Sequence, residues 1–253
     1  MSLPVILSLE TATMGGSVFI GRGPVELAAV SGDPEVSQSS SLLSDINTSL
    51  ENAGLTLQDV DLFACTSGPG SFTGLRIGIA TLKALAATLD RPCAGIPTLQ
   101  AIAHSAGVST ATVALLPAGR GELFAQMFSV SEDQTVTEID SAAHLSPKRL
   151  VEKYGSRMNL IWAGPGAHQQ SAFLEESANQ LGISFIDDSS ESWDHAGTER
   201  GNMWRLADRE PNLARHAAAL ALQLFNLGKV QSAQTLQAIY VRPSDAELNE
   251  QCR

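Results

Sequence analysis

The residues best suited to chemistry lie in a glycine-rich segment, Ser67-Gly-Pro-Gly-Ser-Phe-Thr-Gly74, that opens a long apolar helical pattern. Glycines and small hydroxyls at a helix start are typical of an anion-binding turn, because free backbone N–H groups and the helix dipole favour negative charge. No lysine follows the glycines, so the segment is not a P-loop. Two interpretations stay open. In the first, a phosphate site is formed by Gly68, Gly70, Ser71 and Thr73, alone or with a partner protein. In the second, the glycines form a conformational hinge that permits positive φ and tight packing.

A second candidate site follows the first apolar run, at Glu10-Thr-Ala-Thr13. An acid here could position a metal ion, and the hydroxyls of Thr11 and Thr13 could contact phosphate. A kinase needs several acids to hold Mg²⁺ and activate a nucleophile. The matching turn of the second half, Pro117-Ala-Gly-Arg-Gly121, has no carboxylate before Glu122. We therefore predict a degenerate nucleotide or anion site, with no metal and no catalytic residue.

Cysteine and histidine spacing argues against a metal centre or a disulfide framework. The chain has three cysteines and five histidines, with no CxxC, HxxH or HxxxH pair among them. Free thiols fit a reducing cytoplasm.

The first apolar run has no basic segment before it and is interrupted by Glu10, so we interpret it as a buried strand rather than a signal peptide. Ser39, Ser40 and Ser41 look nucleophilic, but no base is evident and a helix cap explains them better.

Charge limits the direct partners of this chain. Its 253 residues carry 16 Lys and Arg against 27 Asp and Glu, a formal net charge of -11. Nucleic-acid affinity depends on Lys and Arg neutralising phosphates. We therefore expect no direct, unaided binding to nucleic acid. No apolar stretch reaches the roughly 18 residues of a membrane span, so we expect no membrane association.

The element pattern predicts a duplicated α/β fold. Three opening strands form an antiparallel meander, and helices follow over 38–53 and from Phe72 to about Leu89. The second half repeats the opening with a strand hairpin predicted within 112–130, where Gly121-Glu-Leu-Phe124 matches Gly16-Ser-Val-Phe19. We predict an N-terminal half over 1–108 and a C-terminal half over 109–253, packed face to face. Residues 188–203 are predicted to be a surface loop, and the tail from Arg242 to fray.

The two helices of the first half are predicted to form a contact between copies. Helix 38–53 has a predicted core stripe of Leu43, Ile46, Leu50 and Ala53, which leaves Leu42 off it. The next helix has interior Gly74 and Gly78, and each such glycine costs about 1 kcal/mol relative to Ala. Close approach of another helix would offset that cost. The alternative is that the glycines pack inside the monomer against the strand at 61–66. The predicted interface residues are Ser39, Leu42, Leu43, Asn47, Phe72, Gly74, Leu75, Gly78 and Thr81.

Two segments resemble a known family. Leu7-Ser-Leu-Glu-Thr-Ala-Thr13 and Ser67-Gly-Pro-Gly-Ser-Phe-Thr-Gly-Leu-Arg-Ile-Gly78 are similar to motifs of the bacterial TsaB family, also called YeaZ. The second motif is long and specific. Weaker similarity continues at Gly95–Ala103, at Gly119–Phe124 and at Tyr240-Val-Arg242, so the resemblance is strong over 5–128 and thin afterwards.

This resemblance implies an actin/Hsp70-like fold of two RNase H-like halves and a role in tRNA modification. The family is similar to the threonylcarbamoyl transferase TsaD but lacks the metal-binding histidines of that enzyme. It pairs with TsaD and the ATPase TsaE to make threonylcarbamoyladenosine beside the anticodon of tRNA, and it forms homodimers through the same helices when alone. The implied protein is a non-catalytic subunit without a cofactor, with nucleotide bound at most at the partner interface.

Three departures from the family pattern weaken any residual nucleotide site. Glu10 stands where the family usually has Asp, Ala118-Gly-Arg120 replaces Asp-Ala-Arg, and Gln38-Ser-Ser replaces His-Thr-Gln. The glycine-rich motif is unchanged. The alternative function is a small-molecule kinase or a peptidase of the same fold, which Mg²⁺-dependent ATP hydrolysis or a copurifying metal would indicate.

Overall fold

A computed structural model describes residues 3–33, 35, 38–188 and 202–241, with the backbone alone at residues 38 and 39. The tail predicted from Arg242, and nearly all of the loop predicted at 188–203, lie outside these residues. The chain forms two compact units. The first contains the residues up to Ala101 and those from Pro211 onward, and the second is Ile102–Glu210.

The first unit is built on a five-stranded mixed sheet. Its strands are β1 (Val5–Glu10), β2 (Ser17–Arg22), β3 (Val25–Ser31), β4 (Leu62–Gly68) and β5 (Cys93–Pro97), in the order β3-β2-β1-β4-β5. The first three form the predicted antiparallel meander, whereas β4 and β5 run parallel to β1. All six residues of β1 are buried, which explains the nearly continuous apolar run at the start of the sequence.

Two helices connect these strands, α1 (Gln38–Ala53) and α2 (Phe72–Thr88), and a third helix, α3 (Thr98–Ser105), follows β5. One core cluster joins Leu7, Leu9 and Phe63 of the sheet with buried residues of α1 and α2. The predicted core face of α2 is confirmed, since Leu75, Ile79, Leu82 and Ala86 are all buried. The Ser71 side chain caps α2 by accepting a hydrogen bond from the Gly74 N–H.

The predicted core stripe of α1 is wrong by one residue. Leu42 is 5% exposed and belongs to the core with Ile46 and Leu50, whereas Leu43 is 68% exposed. The side chain of Ser49 completes the buried face. Because Leu42 and Leu43 are adjacent, either residue continues a helical period with Ile46 and Leu50, and only packing against the sheet decides between them.

The second unit repeats this architecture around a larger sheet. Its strands, in the order β11-β12-β10-β6-β7-β8 with β9 also on β7, are β6 (Ser109–Gly119), β7 (Glu122–Val130), β8 (Val136–Glu138), β9 (Ala143–Leu145), β10 (Leu160–Ala163), β11 (Ser184–Asp187) and β12 (Met203–Leu206). Its helices are α4 (Pro147–Tyr154), α5 (Pro165–Gln169) and α6 (Ser171–Gln180). Trp162 and Trp204 pack edge to face in its core, with ring centroids 5.0 Å apart.

Strand order identifies the two units as repeats. In each sheet an antiparallel hairpin (β1–β2 or β6–β7) has a further antiparallel strand on one side and parallel strands on the other. The hairpin predicted within 112–130 is confirmed as β6–β7. The duplicated α/β fold with mixed sheets flanked by helices is therefore confirmed.

The predicted halves, 1–108 and 109–253, need correction because the chain returns to the first unit. Helix α7 (Leu213–Asn226) packs on β1, β2, β4 and β5. Asn212 donates hydrogen bonds to the carbonyl oxygens of Val18 (3.2 Å) and Val30 (3.1 Å). The apolar face of α7 is mostly alanine, which lets the helix lie close to the sheet. That pattern predicts a buried helix but does not indicate which sheet covers it.

The segment after α7 also belongs to the first unit. Gln231 exchanges two backbone hydrogen bonds of 2.8 Å with Cys93, and Lys83 Nζ donates to the Leu236 carbonyl oxygen at 3.0 Å. Leu236 is buried in the core cluster of this unit. The segment therefore extends the β5 edge of the sheet.

We expect Leu236→Ala to lower the free energy of unfolding by about 2–5 kcal/mol, the usual cost of truncating a buried leucine. Leu236 is 1% exposed, whereas Leu227 is 65% exposed at the end of α7. The matched control, Leu227→Ala, should change stability by about 0.5 kcal/mol or less. Urea denaturation of both variants measures this, and equal effects would show that the segment does not pack as described.

Candidate functional site

The turn after β1 is organised around the carboxylate of Glu10. One oxygen accepts hydrogen bonds from the backbone N–H groups of Ala12 (2.5 Å) and Thr13 (2.8 Å), and the other accepts from the Thr13 hydroxyl (2.7 Å). Glu10 and Thr11 are buried, and Thr13 is half-buried. Of the two hydroxyls that the sequence assigns to an anion site, that of Thr13 is therefore engaged by a side chain of the same turn.

Burial raises the pKa of Glu10, and the hydrogen bonds from Thr13 and Ala12 act in the opposite direction. Desolvation is the larger effect because the carboxyl group lies at the buried end of a central strand. Within the described residues, no group of three or more His, Cys, Asp or Glu is arranged to hold a metal ion. Glu10 thus stands in a hydrogen-bonded turn rather than in a cluster of acids.

The glycine-rich segment is closed by two other parts of the first unit. The Ser71 N–H donates to the Ala12 carbonyl oxygen at 2.8 Å, and the Ile239 N–H donates to the Ser67 carbonyl oxygen at 2.7 Å. Gly68 has a φ of 118°, and a Cβ there would lie 2.3 Å from the Ile239 carbonyl oxygen. Gly68 therefore has the positive φ and the tight packing that the second interpretation requires, and its role as a hinge stays a prediction.

The structure thus brings together most of the predicted anion-site residues. Ala12, in the same turn as Glu10 and Thr11, lies against this loop: a Cβ on Gly70 would lie 2.5 Å from that of Ala12, and the Ser71 N–H donates to the Ala12 carbonyl oxygen. Thr73 is exposed in the first turn of α2. Their occupancy by a ligand stays a prediction, and sequence reasoning missed that the segment near Ile239 covers the loop.

Gly78 packs inside the first unit, which corrects its place in the predicted interface. A Cβ at Gly78 would lie 2.1 Å from Thr11 Oγ1. Its neighbour is therefore the turn after β1, and neither a second helix nor the strand at 61–66, the two possibilities weighed from sequence. Gly74, Leu75 and Leu42 are also buried, so these four predicted interface residues do not form a free surface.

The other predicted interface residues lie at or near the surface of α1 and α2. Leu43, Asn47 and Phe72 are exposed, and Thr81 is half-buried. The side chain of Ser39 lies outside the described residues. Their contact with a partner stays a prediction.

Sequence reasoning missed the stripe that α2 presents to solvent. We call this stripe the outer face of α2: Phe72, Arg76, Ala80 and Ala84, all exposed and spaced four residues apart. The guanidinium carbon of Arg76 lies 3.8 Å from the Phe72 ring centroid, and the Tyr240 ring packs against the same ring with centroids 5.7 Å apart. The available sequence signal for this face was the occurrence of two small residues, Ala80 and Ala84, four positions apart.

The corresponding turn of the second unit also lacks a free acid. It runs through Ala118 and Gly119 to Arg120, which has a positive φ of 52°, and on to Glu122. Glu122 is paired with His144, whose Nε2 lies 3.1 Å from Glu122 Oε2. The first carboxylate after this turn is therefore already in contact with a histidine of the second unit.

Two of the three cysteines are buried, free thiols, and Cys252 lies outside the described residues. Burial raises the pKa of Cys65 to about 12 and also raises the pKa of Cys93. Thiolate is the nucleophilic form of cysteine, so neither side chain is suited to nucleophilic catalysis. Among the described helices, none combines the length and the apolar character needed to cross a membrane.

The two repeated units have an actin/Hsp70-like duplicated α/β fold. A family model described as TsaD: tRNA N6-adenosine threonylcarbamoyltransferase matches residues 35–191, more than half of the chain. The chain belongs to this family and, within it, to the TsaB (YeaZ) group, as its sequence motifs predict.

Individual relatives agree with this grouping. The tRNA threonylcarbamoyladenosine biosynthesis protein TsaB of Escherichia coli is 25% identical over 240 residues, which is 94% of each chain. YeaZ from Pseudomonas aeruginosa is 24% identical with a TM-score of 0.69, covering 94% of this chain and all of that one, and shows the same fold. Component A of (R)-2-hydroxyglutaryl-CoA dehydratase from Acidaminococcus fermentans shares the general architecture. It is 12% identical with a TM-score of 0.50, covering 87% of this chain and 98% of that one.

Proposed function

We propose that this chain is a non-catalytic subunit in the formation of threonylcarbamoyladenosine in tRNA, and that it acts by binding and activating a TsaD-like transferase. Membership of the TsaB group supports the pathway. The observation that carries the non-catalytic role is the turn after β1, where the Glu10 carboxylate is engaged by Ala12 and Thr13. A carboxylate held in this way is poorly placed to bind Mg²⁺ or to activate a nucleophile.

The outer face of α2 supports a protein partner as the target of this subunit. Ala80 and Ala84 are exposed and small, so a partner helix could approach the α2 backbone closely. The helix contains Arg76 and Lys83 and no acidic residue, although the whole chain has a net charge of -11. On the neighbouring helix α1, Leu43 adds an exposed apolar side chain that a partner could contact.

In this proposal the TsaD-like partner and a second copy of the chain compete for one surface. The family relationship to TsaD supports this, because two chains of similar fold present related helices. A TsaE-like ATPase supplies the nucleotide chemistry, with nucleotide bound at most at the partner interface. The net negative charge of the chain opposes unaided binding to tRNA. Its free, buried thiols are consistent with a cytoplasmic location, because the cytoplasm keeps cysteines reduced.

Reconstitution with the TsaD-like and TsaE-like proteins of the same cell tests the function. We expect threonylcarbamoyladenosine formation in tRNA to fall by at least about tenfold when this chain is omitted, an effect of about 1.4 kcal/mol or more. The isolated chain should hydrolyse ATP with Mg²⁺ no faster than a buffer control. Full modification without the chain, or ATP hydrolysis by the isolated chain that Glu10→Ala abolishes, would contradict the proposal.

A further inference from the structure

Helix α4 and the turn that follows it carry a concentration of positive charge. Four of the 16 Lys and Arg of the chain fall within this short segment and are exposed: Lys148, Arg149, Lys153 and Arg157. Glu152 is the one acid between the first and the last of them, although the whole chain has 27 acids. The segment is therefore locally positive on a chain of net negative charge.

Packing of α4 accounts for one of these four cations. Leu150 and Tyr154 anchor the inner side of the helix in the core of the second unit. The Lys153 Nζ lies 2.6 Å from Asp140 Oδ2, and the Tyr154 hydroxyl donates to the same oxygen at 2.8 Å. Lys153 is thus part of a structural contact within the second unit.

The other three cations, which we call the basic patch, are Lys148, Arg149 and Arg157. None of their side chains forms an ion pair with a described residue. Lys148 and Arg149 lie in the first turn of α4, which contains no acid. The N–H groups at a helix start carry partial positive charge, so cations there oppose the stability of the helix. Helix stability therefore does not explain these two residues.

The repeated architecture does not explain the charge of α4 either. Helix α4 connects β9 to β10 as α1 connects β3 to β4, so the two helices hold equivalent positions in the two units. The α1 sequence contains Asp45 and Glu51 and no Lys or Arg. The two equivalent helices therefore differ in the sign of their charge, which fits different binding partners.

We propose that the basic patch binds the phosphate backbone of tRNA when the complex of this chain with its TsaD-like partner holds the tRNA. This inference rests on the proposed function, because tRNA is the substrate of that complex. Lys and Arg are the residues that neutralise phosphates, whereas lysine is depleted at protein interfaces. Salt screens charges beyond about 8 Å under physiological conditions, so a phosphate at the patch responds to the local cations more than to distant acids. The isolated chain, with its net charge of -11, does not hold tRNA by this patch alone.

The salt dependence of tRNA binding by the reconstituted complex tests the proposal. Fluorescence anisotropy with labelled tRNA measures the affinity at several salt concentrations. Lys148→Ala combined with Arg149→Ala should weaken binding by about fivefold or more. It should also make the slope of log affinity against log salt less steep by about 1.5, because each lost phosphate contact contributes about 0.7–0.9. The matched control, Arg22→Ala combined with Arg91→Ala, removes two exposed cations from the first unit and should leave the slope unchanged.

Charge reversal adds a second measurement that a merely structural role would not reproduce. Acids are favoured in the first turn of a helix, so Lys148→Glu combined with Arg149→Glu should melt no lower than wild type. The same variant should bind tRNA at least about tenfold more weakly within the complex.

Two results would overturn the proposal. One is a tRNA affinity and a salt slope that are the same for the Lys148 and Arg149 variants as for wild type. The other is a loss of affinity for the TsaD-like partner in the absence of tRNA, which would make α4 a protein contact. Either result refutes this inference alone if omission of the chain still abolishes tRNA modification. Full modification without the chain refutes the proposed function and this inference with it.

Discussion

Gly78→Leu should strongly lower the free energy of unfolding of the chain. A side chain at Gly78 would begin 2.1 Å from Thr11 Oγ1, and Thr11 is buried beside the turn that Glu10 organises. Relief of the clash requires Thr11, its turn or α2 to move, and a movement of α2 would open the core around Ile79 and Leu82. Overpacking commonly costs about 1–3 kcal/mol, and we expect at least the upper end of that range. The measurement is urea denaturation, together with the yield of soluble protein.

Ala84→Leu on the same helix is the matched control. Ala84 is exposed, and leucine is nearly as good a helix former as alanine, so this variant should unfold within about 0.5 kcal/mol of wild type. Gly78→Ala should be destabilised as well, although alanine favours a helix by about 1 kcal/mol over glycine. A Gly78→Leu protein as stable as wild type would show that Gly78 does not contact Thr11.

The contact between Gly78 and Thr11 illustrates what helical periodicity can and cannot predict. The spacing of Leu75, Ile79, Leu82 and Ala86 correctly identified the buried face of α2. The same pattern placed Gly78 on a second face, but a glycine beside a buried stripe is equally compatible with close contact inside the monomer. The partner atom belongs to a turn that is distant in sequence, and local periodicity contains no information about it.

Duplication was predictable because it depends on local pattern, whereas the return of the chain to the first unit was not. Two strand hairpins with similar glycine-rich turns predicted the repeat that the sheets confirm. Helix α7 is apolar enough to pack on either sheet, and hydrogen bonds from Asn212 to Val18 and Val30 fix it on the first. Contacts between residues so far apart follow from the tertiary structure and leave no periodic signal.

The candidate site was predicted in composition but not in conformation. Sequence identified Glu10, Thr11 and Thr13 as potential ligands of a metal or a phosphate. It could not show that the Glu10 side chain turns back onto the N–H groups of Ala12 and Thr13, since that depends on a rotamer and on burial at the end of β1. The distinction matters for function, because an anion site needs these donors to be free, whereas in the structure they bond to Glu10.

Ala80→Arg should abolish binding to the TsaD-like partner while the chain stays folded. Ala80 lies at the centre of the outer face of α2, between Arg76 and Ala84, and is exposed. Arginine is a good helix former, so the variant should unfold within about 0.5 kcal/mol of wild type. In a close helix contact the new side chain would hold the partner away and bury an unpaired charge, which costs several kcal/mol. We expect the affinity to fall by at least about 100-fold, or roughly 2.8 kcal/mol.

Ala172→Arg is the control, because Ala172 is an exposed alanine in a helix of the second unit. It adds the same charge and should change partner affinity by less than about twofold. Calorimetry with the purified partner gives the affinity, and size-exclusion chromatography with light scattering gives the mass of the chain alone. If this face also joins two copies, Ala80→Arg should be monomeric at concentrations where Ala172→Arg is dimeric. An Ala80→Arg protein that binds the partner as tightly as Ala172→Arg does would place the interface elsewhere, because no partner helix could pack closely over an arginine at that position without loss.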